Sequence, residues 1–234
     1  MLLKVNNLTV EYGKARAVQG ISLEVSEGNF VSIIGANGAG KSSILKAICG
    51  LNQNISGEIF YKNNDLKRLQ IFRIASLGVA YVPERRRLFP DMTVLENLKM
   101  GGYCRPNKAL TKSLDQIYKY FPRLKERLNQ RAGSLSGGEQ QMLAIARGLM
   151  SKPDLLIIDE PSLGLAPVLC TKVGKILKEL NEAGIAILLA EQNAHLALTL
   201  SKYVYVLTTG KIEISGKTAD VSQYESVKSA YLGG

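Results

Sequence analysis

The sequence predicts an α/β fold with a mainly parallel sheet, an N-terminal antiparallel β part and a mainly helical insertion. Three observations predict it. Residues 35–42 read Gly-Ala-Asn-Gly-Ala-Gly-Lys-Ser and lie between a strand-like run and a helix-like run. Apolar runs at 155–158 and 185–189 bracket a helical pattern at 167–182, a strand–helix–strand unit that implies parallel strands. Between about 90 and 150 the strand signal fades and apolar residues recur at helical spacing.

In chain order, Leu3, Val5 and 8–10, then 21–25, alternate as antiparallel strands. Turns are expected at Asn6 and Asn7 and at 27–29. Residues 30–34 form a buried strand, and 43–49 form a helix closed by Gly50. A further strand at 57–61 ends in a turn at 62–65. Helices are expected at 92–103, 109–128 and 139–150, with Leu114, Ile117, Tyr120 and Phe121 at core spacing. The runs 203–207 and 210–214 pattern as a hairpin, and a short helix is expected to close the chain. The 234 residues then make one domain, with a core at 1–89 and 151–234 and a helical subdomain at about 90–150.

Composition narrows the class. Hydrophobic content is 46% and 22 glycines fit many strand-to-helix turns. No apolar run approaches the roughly 18 residues that span a bilayer. The N-terminal residues do not pattern as a signal peptide. Cys49, Cys104 and Cys170 are scattered and in no metal spacing, which fits a reduced, cytoplasmic protein. The net charge of +10 favours anionic partners: nucleotides, nucleic acid or an anionic membrane face. Zinc-finger and RNA-binding signatures are absent, so nucleic acid is not expected.

The run at 35–42 fits G-x-x-x-x-G-K-[ST]. In that pattern the backbone N–H groups of Gly35, Ala36, Asn37, Gly38, Ala39 and Gly40 surround phosphates. Lys41 reaches the β- and γ-phosphates, and the Ser42 hydroxyl, with Ser43 beside it, faces Mg²⁺. The four apolar residues 155–158 end in Asp159 and Glu160. Ligands bind beyond the carboxyl ends of strands in open α/β sheets. Asp159 is therefore a candidate Mg²⁺ ligand, and Glu160 a candidate base that polarises a water against the γ-phosphate. A second phosphate-binding helix start is written at Ser136, Gly137 and Gly138, just before a helical pattern.

The string Leu-Ser-Gly-Gly-Glu-Gln-Gln at 135–141 resembles the signature motif of ABC-type ATPases, and the likeness runs along the whole chain in the family's order. It implies a P-loop NTPase core carrying an antiparallel β subdomain and a helical subdomain. It also implies a head-to-tail dimer in which the signature loop of one subunit closes over ATP held by the other. By the same resemblance Tyr12 stacks on adenine, and residues 161–166 cross the dimer interface. Residues 81–98, 161–167 and 191–193 narrow the resemblance to LivF-type ATP-binding subunits of branched-chain amino-acid importers. Urea or amide importers share much of this wording, and a soluble non-transport ABC ATPase is a further alternative. The implied cofactors are ATP and Mg²⁺. The implied partners are a second, LivG-type ATPase subunit and transmembrane permease subunits. The implied place is cytoplasmic, peripheral on the inner face of the membrane.

Three positions depart from the broad family pattern. Glu84 stands where most members have a glutamine that contacts Mg²⁺, Ala166 where the crossing loop usually ends in aspartate, and Gln192 where most have a switch histidine. Gln192 can donate a hydrogen bond to the γ-phosphate but cannot become cationic. His195, the single histidine, is expected on the next helix as a surface or packing residue rather than a displaced switch. The run Arg85, Arg86, Arg87 is read two ways: as a contact for the permease or anionic lipid, or as an exposed basic loop.

Overall fold

The computed structural model describes residues 1–52, 54–103 and 105–223, apart from the side chains of 107–109. The chain opens with β1 (Leu3–Tyr12), β2 (Ala15–Val25) and β3 (Phe30–Ile34). Then come α1 (Lys41–Ile48), β4 (Ile55–Tyr61), β5 (Asn64–Asp65), α2 (Ile71–Ser76) and β6 (Val79–Val82). A helical stretch follows, with α3 (Val94–Gly101), α4 (Asn107–Tyr120), α5 (Pro122–Glu126) and α6 (Gly137–Leu149). Next are β7 (Leu155–Asp159), α7 (Pro167–Glu182), β8 (Ala186–Glu191) and α8 (Ala194–Leu200). The hairpin β9 (Tyr203–Thr208) and β10 (Lys211–Lys217) and the short α9 (Thr218–Val221) come last among the described residues.

The strands form two sheets. One is antiparallel, in the order β2-β1-β4-β5. The other has the order β10-β9-β3-β8-β7-β6; its strands pair in parallel except for the β9–β10 hairpin. Every residue of β3, β7 and β8 is buried, as expected when both faces of a parallel sheet are covered. Alternate residues serve two cores. Leu155, Ile157 and Leu188 pack with Ile44, Leu45 and Ile48 of α1 and with the antiparallel sheet. Leu156, Ile158 and Leu189 pack with Leu143 of α6 and Leu177 of α7. Each such side chain contributes about 1.5–3 kcal/mol by leaving water. Because α1 is caught between the two sheets, its N-terminus is fixed at the carboxyl edge of β3.

The structure corrects two local expectations and adds elements the sequence left unread. Asn6 and Asn7 do not turn the chain; they sit inside β1, where the register shifts against both β2 and β4. Asn7 takes φ 47°, which asparagine tolerates, so the extra residue is absorbed as a bulge. The helix expected at 109–128 is two helices. Pro122 cannot continue α4 and restricts the residue before it, so Phe121 leaves helical geometry and α5 starts at the proline. The elements α2 and β6 had no sequence reading, because runs of six and four residues are too short to show a period. The first half of β2, from Ala15 to Gly20, was likewise unread. Residues 224–234 and Cys104 lie outside the described residues, so the closing helix is seen only as α9 and only Cys49 and Cys170 are described as free thiols. Among the described residues no helix is long and apolar enough to cross a membrane.

Candidate functional site

The carboxyl ends of β3, β7 and β8 lie side by side, with Ile34 opposite Glu191 and Asp159 opposite Ala190. The loop 35–40 leaves β3 here and opens α1. Gly40 has φ 109°, and a Cβ there would meet the Ala17 carbonyl at 2.5 Å, so the loop needs glycine at that point. Gly40 also offers α1 no side-chain cap, which leaves the first-turn N–H groups available to an anion.

Lys41 is buried, and its Nζ donates to the carbonyls of Gly35 at 2.7 Å and Ala36 at 3.0 Å. It also pairs with Glu160 Oε1 at 2.8 Å. Glu160 is buried as well and takes φ 45°, with its N–H on the Ala190 carbonyl at 2.8 Å. The Ser42 hydroxyl donates to Asp159 Oδ1 at 3.0 Å, and the Tyr81 hydroxyl donates to Asp159 Oδ2 at 3.0 Å. Burial pushes the Asp159 carboxyl above its ordinary value; those two hydroxyls oppose the rise, and the Glu160 and Glu84 charges add to it. A cleft of about 280 Å³ runs along the loop, lined by Asn37, Gly38, Lys41, Ser42, Glu84 and Glu160.

Among the described residues no three of His, Cys, Asp and Glu gather into a metal cage. Magnesium in phosphoryl-transfer sites takes one or two carboxylates and draws further ligands from the substrate's phosphates. The hydroxyl of Ser42 beside the Asp159 carboxylate, with Glu84 on the same cleft, is a donor set of that kind and suits a metal that arrives with a nucleotide.

Tyr12 ends β1 and is 49% exposed, so it is not a core tyrosine. Its hydroxyl lies 3.4 Å from Ser43 Oγ and bonds with Asn52, whose Nδ2 also reaches the Ser43 carbonyl at 3.3 Å. An exposed aromatic face is thereby tied to the phosphate loop. Ser136, Gly137 and Gly138 start α6 elsewhere: Ser136 and Gly138 line a different cleft, of about 300 Å³, with Arg127, Leu169 and Lys172. The chain does not bring them to its own Lys41 loop. Gln192 is exposed just past β8.

The match to known proteins agrees with this layout. The model of the family described as "ABC transporter" matches residues 18–163. The chain belongs to the ABC transporter family. Like the family's cassettes, it is a P-loop ATPase fold with an added antiparallel sheet. This ABC ATPase is 46% identical, over the full length of both chains, to the high-affinity branched-chain amino acid transport ATP-binding protein BraG of Pseudomonas aeruginosa. It is 31% identical, over 99% of each chain, to the probable branched-chain amino acid transport ATP-binding protein LivF of Archaeoglobus fulgidus. A solved ATP-binding cassette, dimeric and bound to ADP and Pi after hydrolysis, aligns with TM-score 0.83 at 26% identity; 93% of this chain and 99% of that one are covered.

The departures have definite surroundings in this ABC ATPase. Glu84 lies on the phosphate-loop cleft, a partly buried carboxylate where the family pattern has an amide. Ala166 starts α7 with no side-chain cap, followed by Pro167 at the first helical position. His195 is exposed on α8. The arginine run divides. Arg86 turns inward, donating to Gln140 Oε1 at 3.1 Å and Gln141 Oε1 at 3.3 Å on α6, so neither reading of an outward basic run covers it. Arg85 and Arg87 are exposed and border a cleft of about 890 Å³. Arg147 of α6 holds the same loop, donating to the carbonyls of Arg87 at 2.7 Å and Arg86 at 2.9 Å. Sequence reasoning missed Tyr81 and Asn52. Tyr81 stands three residues before Glu84, and Asn52 two after the glycine that ends α1. Tyr81 lies in the run 81–98 that narrowed the resemblance, but no role was read for it, and no motif covers Asn52.

Proposed function

We propose that this chain is the ATP-binding and ATP-hydrolysing subunit that powers an importer of branched-chain amino acids. The observation that carries the reading is the meeting of Lys41, Ser42, Asp159 and Glu160 at one sheet edge, with Ser136 and Gly138 on another cleft. One chain then holds two unlike half-sites. The names of the two relatives support the amino-acid cargo.

In this reading the triphosphate lies on the loop 35–43 with adenine against Tyr12. Ser42, Asp159 and Glu84 would hold Mg²⁺, which would offset phosphate charge. Lys41 reaches the β- and γ-phosphates. A phosphate at Lys41 competes with Glu160 for the ammonium and frees that carboxylate to orient the attacking water and accept its proton. Gln192 donates a hydrogen bond to the γ-phosphate. The chemistry is positioning plus electrostatic stabilisation of an in-line displacement, with no covalent intermediate. Ser136, Gly137 and Gly138 complete the ATP site of a second, LivG-type subunit. Permease subunits seat in the cleft bordered by Arg85, Phe89 and Met100, so the ATPase sits peripherally on the cytoplasmic face.

The test is reconstitution with the LivG-type ATPase, permease and binding-protein subunits in vesicles. Labelled leucine should enter at the expense of ATP. Glu160→Gln should lower kcat by at least about 100-fold while ATP still binds. Uptake of urea or an amide instead of leucine would move the cargo assignment, and full turnover in Glu160→Gln would overturn the catalytic one.

A further inference from the structure

Glu191 ends β8 and is 1% exposed, yet no step of hydrolysis above uses it. Its carboxylate accepts three hydrogen bonds. The Ser162 N–H donates to Oε1 at 3.0 Å, the Ser162 hydroxyl to Oε2 at 2.9 Å, and the Asn193 N–H to Oε2 at 3.1 Å. Ser162 lies two residues after Glu160, in the loop 161–166. Asn193 directly follows Gln192 and caps α8, its side chain accepting from the Leu196 N–H at 3.0 Å. One buried acid thus grips both segments that carry candidate catalytic groups.

Two physical points set this apart from ordinary packing. A buried carboxylate costs stability unless its oxygens are satisfied, and an apolar residue at a strand end would fill the space without that cost. Burial does push the Glu191 carboxyl up, against the pull of its three donors. Glu160 also leaves β7 with φ 45°, a conformation a non-glycine residue keeps only when its surroundings hold it. Besides its pair with Lys41 and the Leu163 N–H on its carbonyl, Glu160 is anchored towards β8: its own N–H bonds Ala190, the residue before Glu191, and Ser162 bonds Glu191 itself.

The geometry points to Glu191 as a positioning residue, a clamp that makes the loop 161–166 and the Gln192 turn move as one body. It rests on the catalytic reading of Glu160 and Gln192 proposed above. A displacement of that loop, for instance by a partner subunit, is then carried directly to Gln192. The three donors all need an acceptor. Glutamine at 191 keeps the shape but turns an NH₂ towards one donor, and aspartate keeps the charge but falls one methylene short.

The experiment measures ATP hydrolysis by the complex assembled with the LivG-type and permease subunits, and binding of a fluorescent ATP analogue by the full chain. Glu191→Gln should lower kcat about 10- to 100-fold, with KM and analogue affinity within about twofold, because the groups are misplaced while the nucleotide site stays whole. Ser162→Ala, which keeps the backbone bond to Oε1, should lower kcat by about two- to fivefold and serves if the first variant does not fold. Combining Glu191→Gln with Gln192→Ala should cost little more than the worse single change. Unchanged kcat in Glu191→Gln and Ser162→Ala, a parallel loss of affinity, or fully additive losses would each overturn the clamp. If Glu160→Gln is inactive while both clamp variants keep full turnover, only the clamp falls. If Glu160→Gln turns over normally, the catalytic reading falls and the clamp with it.

Discussion

At the scale of single residues, the Lys41–Glu160 pair dominates the site. Both side chains are buried, and their 2.8 Å contact joins the phosphate loop to the end of β7. Removing one member of such a pair leaves a buried charge without a partner, at a cost of about 3–5 kcal/mol. Lys41→Met should therefore destabilise the chain as well as abolish ATP binding, and denaturant unfolding without nucleotide measures the first effect. Glu160→Gln keeps an oxygen that can accept from Lys41, so its unfolding midpoint should move much less. Equal shifts would show that the pair contributes little to folding. Lys41 and Ser42 were readable because their roles are written in eight consecutive residues. Tyr81 was not, because its hydroxyl meets Asp159 78 residues away, and nothing beside a tyrosine announces such a partner.

At the scale of elements, α6 shows what a helix start can do. Ser136 caps it in a reciprocal box with Glu139: the Glu139 N–H reaches Ser136 Oγ at 3.4 Å, and the Ser136 hydroxyl and N–H both donate to Glu139 Oε2, at 2.7 and 3.0 Å. The start of α1 has no such box, and the two helix starts are the two candidate phosphate sites. The Ser136 hydroxyl, first among the causes, holds the Glu139 carboxyl below its ordinary value of 4.5, with Arg127 and Arg123 helping. Stability from this group is fully present above the unfolded-state value and drains away as pH falls through the folded one. The difference in thermal midpoint between the protein and Glu139→Gln should be constant near neutrality and shrink as pH falls below the ordinary carboxylate value. A difference that grows with acid would reverse the assignment. The start of α6 was legible as Ser136 and two glycines before a helical pattern, and α7 was placed at about 167–182. The break between α4 and α5 also had a written cause in Pro122, though helical spacing on either side concealed it.

At the scale of the whole molecule, the departures at Glu84 and Gln192 would make the two ATP sites of a mixed dimer unequal. Gln192 cannot carry charge, and Glu84 puts a carboxylate on the phosphate-loop cleft. If a LivG-type subunit pairs with this one, the ATP held on this chain's loop should turn over more slowly than its neighbour. Glu160→Gln in the assembled complex should then reduce transport-coupled hydrolysis less than the equivalent change in the partner. Equal and complete losses would show that both sites must fire together. The arginine loop bears on the same scale. With Arg86 bound to α6, charge reversal at Arg85 and Arg87 tests docking of the permease, whereas change at Arg86 disturbs the helix that carries the signature motif.

The sequence by itself determined the elements whose cause is local: the strand–loop–helix of residues 30–48, the parallel unit around α7, the glycine-dependent loop and the capped start of α6. Period, caps and glycine are properties of neighbours along the chain, so they can be read there. The tertiary structure alone decided which distant groups meet. Register between β3, β8 and β7 sets Glu191 and Asp159 beside the loop after Ile34. Packing of α1 between two sheets then brings Lys41 to Glu160 and Ser42 to Asp159. The inward turn of Arg86 and the three-donor grip of Glu191 have the same origin. A hydrogen bond between residues far apart in sequence depends on how layers stack, and that is settled by the fit of whole buried faces rather than by any short run of residues.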